Sequence, residues 1–540
     1  MNYALKHPAL FRPASRPTSP APPKLDTANS VDRGRPINKL SFGGFRWTSS
    51  VAAITPSSPA PAPAPLVHDG SYLEALNLKL SEAVSKALVQ PSGPAIPGEL
   101  VGGKRPIPAG RGHALGLVIA SELKATRDNT HLYKAALRSL HKPLSVLLSN
   151  LSAMLLPLLS STAFLQPPTP TVQVLNPNPT QLHVLAVADF AGELLKDFDE
   201  LGLGLDKDAR GDNLKPIREG LVSLIARVIN PLINGIKSNL LPLIEALECP
   251  VTVTVHKTGA KTGPVLHPSI TVLQTLMPIY AKALARYTVS LPSQAALAMF
   301  LISVLWRALV ALSHRPYVLP SPPVSPPGSP RMLPSLLKKQ PTLSGGTGPV
   351  TPPSGRFVLK LPPSRPPSPP TTSAAPRAAT DAKVLYELML SLPRPPPQDE
   401  ATKIAREAVD EAFEDLRILA SLLEAADNPS FGMNKTLEEV FTEVDALTGE
   451  LPVLIALPVL LRGQFSGERP SVARTTVASI VNIAEEEYRK GCLSGFGPAD
   501  EYGNVIGLKV LDPLRNQQDN GLGDKLLMKW LEAHVESTTH

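Results

Sequence analysis

Leu73, Leu76, Leu80, Val84 and Leu88 recur every three or four residues, which places them on one face of a helix that Pro91 ends. The same rhythm returns along most of the chain. A helix is predicted from about His113 to Arg127, and another from His131 to Asn150 carries Leu132, Ala136, Leu137 and Leu140, with Pro143 as a kink point. From Gln181 the stripe is Leu185, Ala188, Leu194, Leu195, Phe198 and Leu201, stopped by the Gly202-Leu203-Gly204 turn. Leu214, Ile217, Leu221, Leu224, Val228, Leu232, Ile236, Leu240, Leu243 and Leu247 hold the rhythm further, and Pro231 and Pro242 predict kinked or successive short helices there. Two more helices are expected over 269–288 and 293–313, the second with Leu297, Phe300, Leu301, Val304, Leu305, Ala308, Leu309 and Leu312 inward. Val251 to Val255 alternates like a strand but is too isolated to build a sheet.

Further on, Asp399 is placed to cap a helix whose inner face is Ile404, Ala408, Ala412, Phe413, Leu416, Leu419 and Leu423, ended by Asn428-Pro429. Thr436 to Glu439 is a capping box and Gly449 ends the helix it opens; Pro452 starts an apolar segment that runs to Gly463. Ser471 is expected to begin one helix bearing Ala473, Val477, Ile480, Val481, Ala484 and Tyr488, closed by Gly491, with Glu485, Glu486 and Glu487 on its solvated end. Gly495, Gly497, Gly503 and Gly507 lack the spacing and strand-to-helix context of a dinucleotide site and read as a flexible loop. Leu522 to Val535 is the last predicted helix.

Proline punctuates this pattern unevenly. Of 61 prolines in 540 residues, 31 fall in 1–70 and 313–380, and such stretches cannot bury enough apolar surface to fold. The fold class is therefore all-α: two helical lobes, irregular bundles or solenoid-like helix pairs, over 71–312 and 381–540. A disordered proline-rich linker, 313–380, joins them, and a disordered tail, 1–70, precedes them. No fixed-period repeat and no family resemblance emerges. Proteolysis is expected to cut the linker and release two helical fragments.

Charge sharpens the division. The net charge of +7 hides a linker with eight basic and no acidic residues beside a final region with 15 basic and 27 acidic ones. Such a linker suits an anionic partner, whether nucleic acid, a microtubule or an acidic membrane surface, or it folds back on the acidic region. Cys249 and Cys492 are the only cysteines, which excludes a disulfide scaffold and a cysteine-based zinc site and points to a reducing compartment. Prolines at 8, 13, 17 and 20 interrupt any secretory leader or amphipathic presequence. The expected location is cytoplasmic, with the nucleus ahead of mitochondrion or membrane. Pro143 to Leu165 and Tyr287 to Trp306 carry no charge over 23 and 20 residues, long enough to span a bilayer, yet the striping of the second is that of a core helix.

Candidate chemistry is sparse. Asp206 to Ile217 opens like a calcium loop, but Arg210 stands where an oxygen ligand is required and Ile217 where the bidentate glutamate belongs. Lys257-Thr258-Gly259, Lys261-Thr262-Gly263 and Ser335 to Lys338 echo serine β-lactamase elements, but the last lies in the linker instead of at a helix start. His256 and His267, near Cys249, lack zinc spacing. No catalytic, cofactor or metal residue is assigned, and neither a cofactor nor a small-molecule substrate is expected. The short functional signals are the proline-directed sites Ser19, Ser58, Ser321, Ser325, Ser329, Thr351 and Ser368, and the SH3-type ligand formed by Lys360, Pro363 and Pro366. The expected function is a non-enzymatic intracellular scaffold or adaptor for protein partners, regulated by a proline-directed kinase and recruiting an SH3-type domain. The competing readings are a membrane-associated protein using 143–165 and 287–312, and an enzyme without a local motif.

Overall fold

The stripes read above become helices. The computed structural model describes residues 68–95, 98–170, 177–205, 213–251, 253–255, 265–316, 372–374, 376–397, 400–428, 430–463, 465, 476–516 and 521–536. All of them belong to one unit, Ala64–His540; Met1–Pro63 lies outside the described residues. The first region contains α1 (His68–Leu88), α2 (Arg111–Ala125), α3 (Thr130–Leu159), α4 (Pro179–Leu201), α5 (Lys215–Glu245), strand β1 (Val253–Val255), α6 (Pro268–Tyr287) and α7 (Leu291–Ser313). After β2 (Thr372–Ala374) come α8 (Ala378–Leu390), α9 (Glu400–Asp427), α10 (Leu437–Thr448), α11 (Val453–Leu460), α12 (Val477–Ile480), α13 (Glu485–Gly491), α14 (Phe496–Arg515) and α15 (Leu522–Glu536). Among the described residues the protein is all-α apart from the β1–β2 ribbon.

Local chemistry explains the boundaries. Asn178 and Gln181 form a reciprocal capping box at the start of α4, and Gly202, with φ of 65°, ends that helix in the left-handed region. Buried Gln181 also donates through Nε2 to the carbonyls of Phe164 and Gln166 at 3.1 and 2.7 Å, tying the preceding loop to the helix start. The Thr436–Glu439 box opens α10 as read from the sequence. In α5 the chain continues as one helix through Pro231 and Pro242, where a succession of short helices was one expectation. The side chains around the first proline, Val228, Ile229, Leu232 and Ile233, are buried, and their packing offsets the lost backbone bond.

Four other expectations are corrected. The strand at 253–255 does find a partner: β1 pairs antiparallel with β2, Val253 opposite Ala374 and Val255 opposite Thr372. The single helix expected from Ser471 is two, α12 and α13, because Asn482 adopts φ of 55° between them and breaks the spiral. Ile404 is not on the inner face of α9; it is 79% exposed, and Val409 takes the buried position. Asp399, proposed as the cap of that helix, lies outside the described residues. Finally, of the glycines read as a loop, Gly495 is the N-cap of α14 and Gly497, Gly503 and Gly507 lie along that helix. Gly507 lets α14 approach α15 so closely that a Cβ there would sit 2.6 Å from Val535 Cγ2.

Gly507→Ala is therefore expected to cost about 1–3 kcal/mol in denaturant unfolding. Gly497→Ala on the same helix meets nothing within 4 Å and serves as the neutral control.

The core runs continuously through both helical regions. α2 packs on α4, α4 on α5, and α5 on α7; α7 then packs on α9 and α11, and α6 on α8. α14 lies between α11 and α15. The central element is α7: all eight stripe residues named for it are buried, and Trp306 on the same helix is 2% exposed. Its apolarity serves two sets of neighbours, one from each side of the proline-rich stretch.

Candidate functional site

None of the phosphorylation candidates Ser19, Ser58, Ser321, Ser325, Ser329, Thr351 and Ser368 lies among the described residues, nor do Lys360, Pro363 and Pro366. The same holds for 206–212, for 256–264 and for Ser335 to Lys338. His267 is described and buried, at the N-cap of α6, where Nδ1 accepts from the Ser269 amide at 3.2 Å; burial pushes its pKa down. Cys249 is exposed, and among the described residues no group of three His, Cys, Asp or Glu side chains could hold a metal ion.

What the structure brings together instead is a polar node at both ends of 317–371. Arg315 Nη1 donates to Asp381 Oδ2 at 2.5 Å, with the two side chains 4% and 0% exposed. Arg315 Nη2 donates to the Pro376 carbonyl at 3.0 Å, and Asp381 Oδ1 accepts from the His267 amide at 2.9 Å. Arg462, just beyond α11, donates through Nη1 to the Arg315 carbonyl and through Nε to the Pro458 carbonyl at 2.7 Å. Burial lowers the Arg462 pKa to about 10, so it remains a cation at neutral pH. Four segments distant in sequence thus converge, and the charges are matched by hydrogen bonds as burial demands.

Beside this node, His314 turns Nδ1 toward the Val310 carbonyl at 3.0 Å, while its Nε2 and the Tyr488 hydroxyl are buried with no hydrogen-bond partner among the described residues. Burial, followed by the fields of Arg462 and Arg489, holds the His314 pKa down to about 3 and keeps the ring neutral. Arg489 meets Glu248 in a forked pair through both terminal nitrogens, linking α13 to the turn after α5. Trp306 Nε1 donates to the Leu493 carbonyl at 2.8 Å, and its ring lies 4.6 Å from that of Phe496.

A second feature lies at the other end of the molecule's first region. Val101 and Lys104 exchange both backbone hydrogen bonds, at 3.0 and 3.1 Å, around Gly102 and Gly103, whose φ values of 57° and 74° suit a two-residue hairpin. Arg105 Nε donates to Glu99 Oε1 at 2.9 Å, and His183 Nε2 contacts the Glu99 carbonyl at 2.8 Å, fastening this hairpin to α4. Between hairpin, α3 and α4 opens a cleft of about 690 Å³. The Val-Gly-Gly-Lys pattern is a hairpin signal legible in the sequence, whereas the cleft depends on three segments that no local motif connects.

On α9, Asp415 is buried, and desolvation, with the charges of Glu411, Asp500, Glu450 and Glu414 adding to it, raises its pKa from the usual 3.8 to about 7. A carboxyl whose folded pKa lies above its unfolded one favours folding at low pH. That contribution is lost as the pH rises from about 4 through 7. Asp415→Asn is expected to gain on the order of a few kcal/mol at pH 8 and nothing at pH 4, measured by urea titration at both values.

Two helices, Thr130–Leu159 and Leu291–Ser313, are long and apolar enough to cross a membrane; 67% of the second's apolar window is buried inside the protein, against 28% of the first's. Compared with known protein families, curated proteins and solved structures, the chain matches none.

Proposed function

We propose that this chain is an intracellular, non-enzymatic helical adaptor that carries its basic proline-rich segment, 317–371, on a fixed helical body and recruits protein partners through it. The observation behind this reading is the buried Arg315–Asp381 pair, which with the Pro376 carbonyl and the His267 amide holds the two flanks of that segment at one place. A partner engaging the segment is thereby held against the body, and less chain entropy is lost than for a free tail.

The segment holds six basic and no acidic residues. Five proline-directed sites, Ser321, Ser325, Ser329, Thr351 and Ser368, lie in it, and each phosphate adds about −1.5 to −2 charge, so modification at several sites reverses its sign. Lys360, Pro363 and Pro366 supply the basic and proline positions of an SH3-type ligand. Affinity purification of the intact chain and of a variant lacking 320–370, compared by mass spectrometry, tests the proposal. Partners lost with the segment support it; an unchanged partner set contradicts it.

A further inference from the structure

We propose that the cleft between the 101–104 hairpin, α3 and α4 binds a long-chain carboxylate, with the acyl chain against Met154, Leu158 and Val187 and the carboxylate on Lys104. The inference is independent of the adaptor reading. At about 690 Å³ the cleft lies within the range of about 300–1,000 Å³ found for small-molecule sites. Its walls are largely apolar: α3 contributes Met154 and Leu158, α4 contributes Val187, and Val101 and Ile107 close the hairpin side. Methionine adapts its three torsions to a flexible chain, as an alkyl ligand requires.

Charge decides the head group. Among the described residues, Lys104 and Arg105 are the charged ones lining the cleft, and no Asp or Glu lines it. The Arg105 guanidinium is committed to Glu99, with Nε and Nη2 both 2.9 Å from Oε1. Lys104 is left as the cation at the rim, and its backbone is fixed by the paired bonds to Val101. A single cation on a fixed backbone at the edge of an apolar wall suits a ligand with one anionic end and a hydrocarbon body. Gln90, Asn150, Ser161 and Thr180 also line the cleft, Gln90 Oε1 accepts from the Arg105 amide at 2.7 Å and His183 Nε2 is engaged by the Glu99 carbonyl, so the polar lining is uncharged or already committed and Lys104 is the cation that a carboxylate meets.

The test is titration of the full chain with oleate below its micelle-forming concentration, followed by calorimetry or by displacement of a fluorescent fatty acid. Saturable one-to-one binding is expected, weakened about tenfold for Lys104→Met and for methyl oleate in place of oleate. Ala153→Trp, at an exposed lining position, is expected to abolish binding while leaving the circular-dichroism melt of the protein unchanged. Absence of saturable binding, equal affinity for acid and ester, or full binding by Ala153→Trp overturns the proposal. So does a sedimentation experiment in which Ala153→Trp dissolves a self-associated form without affecting oleate, since the cleft would then be a contact between two copies of the chain. Binding only to anionic phospholipid vesicles and not to free oleate likewise counts against it.

Discussion

Asp381→Ala is expected to lower the unfolding free energy by about 3–5 kcal/mol, because it leaves the Arg315 guanidinium charged, buried and without its counter-ion. Denaturant titration measures it. The His267 amide loses its acceptor in the same variant, so the cost is not that of one bond. In the double variant Arg315→Met, Asp381→Leu no buried charge is stranded, and its loss should be smaller than that of Asp381→Ala alone. Proteolysis supplies a second readout. A cut within 317–371 in the intact protein is expected to leave two fragments that co-elute, instead of the release of two fragments that the sequence alone suggests, since α7 packs on α9 and α11 and the node joins the flanks. Fragments that separate from the wild-type protein on gel filtration would contradict this account of the node and the shared core.

Trp306→Ala is expected to cost about 3–5 kcal/mol, the range for deleting a buried large aromatic side chain. The residue is 2% exposed, lies tilted against Phe496 and donates its one polar hydrogen to Leu493. Trp306→Phe keeps most of the apolar volume but leaves the Leu493 carbonyl without this donor, and should cost roughly 1–3 kcal/mol. Because tryptophan sits on α7 and both its partners lie beyond residue 490, the substitution should also loosen co-elution of the proteolytic fragments. A variant as stable as the parent would show that the contact carries no weight.

Helix positions were legible where the apolar stripe was long, as in α7 with its row of leucines, or where a polar cap marked the start, as in α10 with Thr436 and Glu439. The misreadings share a cause. Gly503 and Gly507 looked like loop residues because glycine is permissive in isolation, and only the neighbour Val535 reveals that the missing side chain of Gly507 makes room for a helix. The strand pair failed to show because its halves are separated by more than a hundred residues and neither three-residue segment is stable alone. The same limit hid the node: Arg315 and Asp381 stand 66 positions apart, and one charge of each sign at that separation carries no pattern. Asn482 broke a periodic stretch through one backbone angle, which spacing of apolar residues does not encode. The cleft went unread: Gly102-Gly103 carries a turn signal, but the opposite wall comes from α3 and α4 and no local motif joins the two.

The two-sided burial of α7 has a consequence during synthesis. When residue 313 leaves the ribosome, α5 is already available to cover one side of this helix, but α9 and α11 have not yet been made. A nascent or prematurely terminated chain ending there presents bare leucine, valine and tryptophan side chains to its surroundings. The 147 further residues to the end of α11 at Leu460 must emerge before that flank is sealed, so the half-made protein has to be shielded by a chaperone or lost to aggregation.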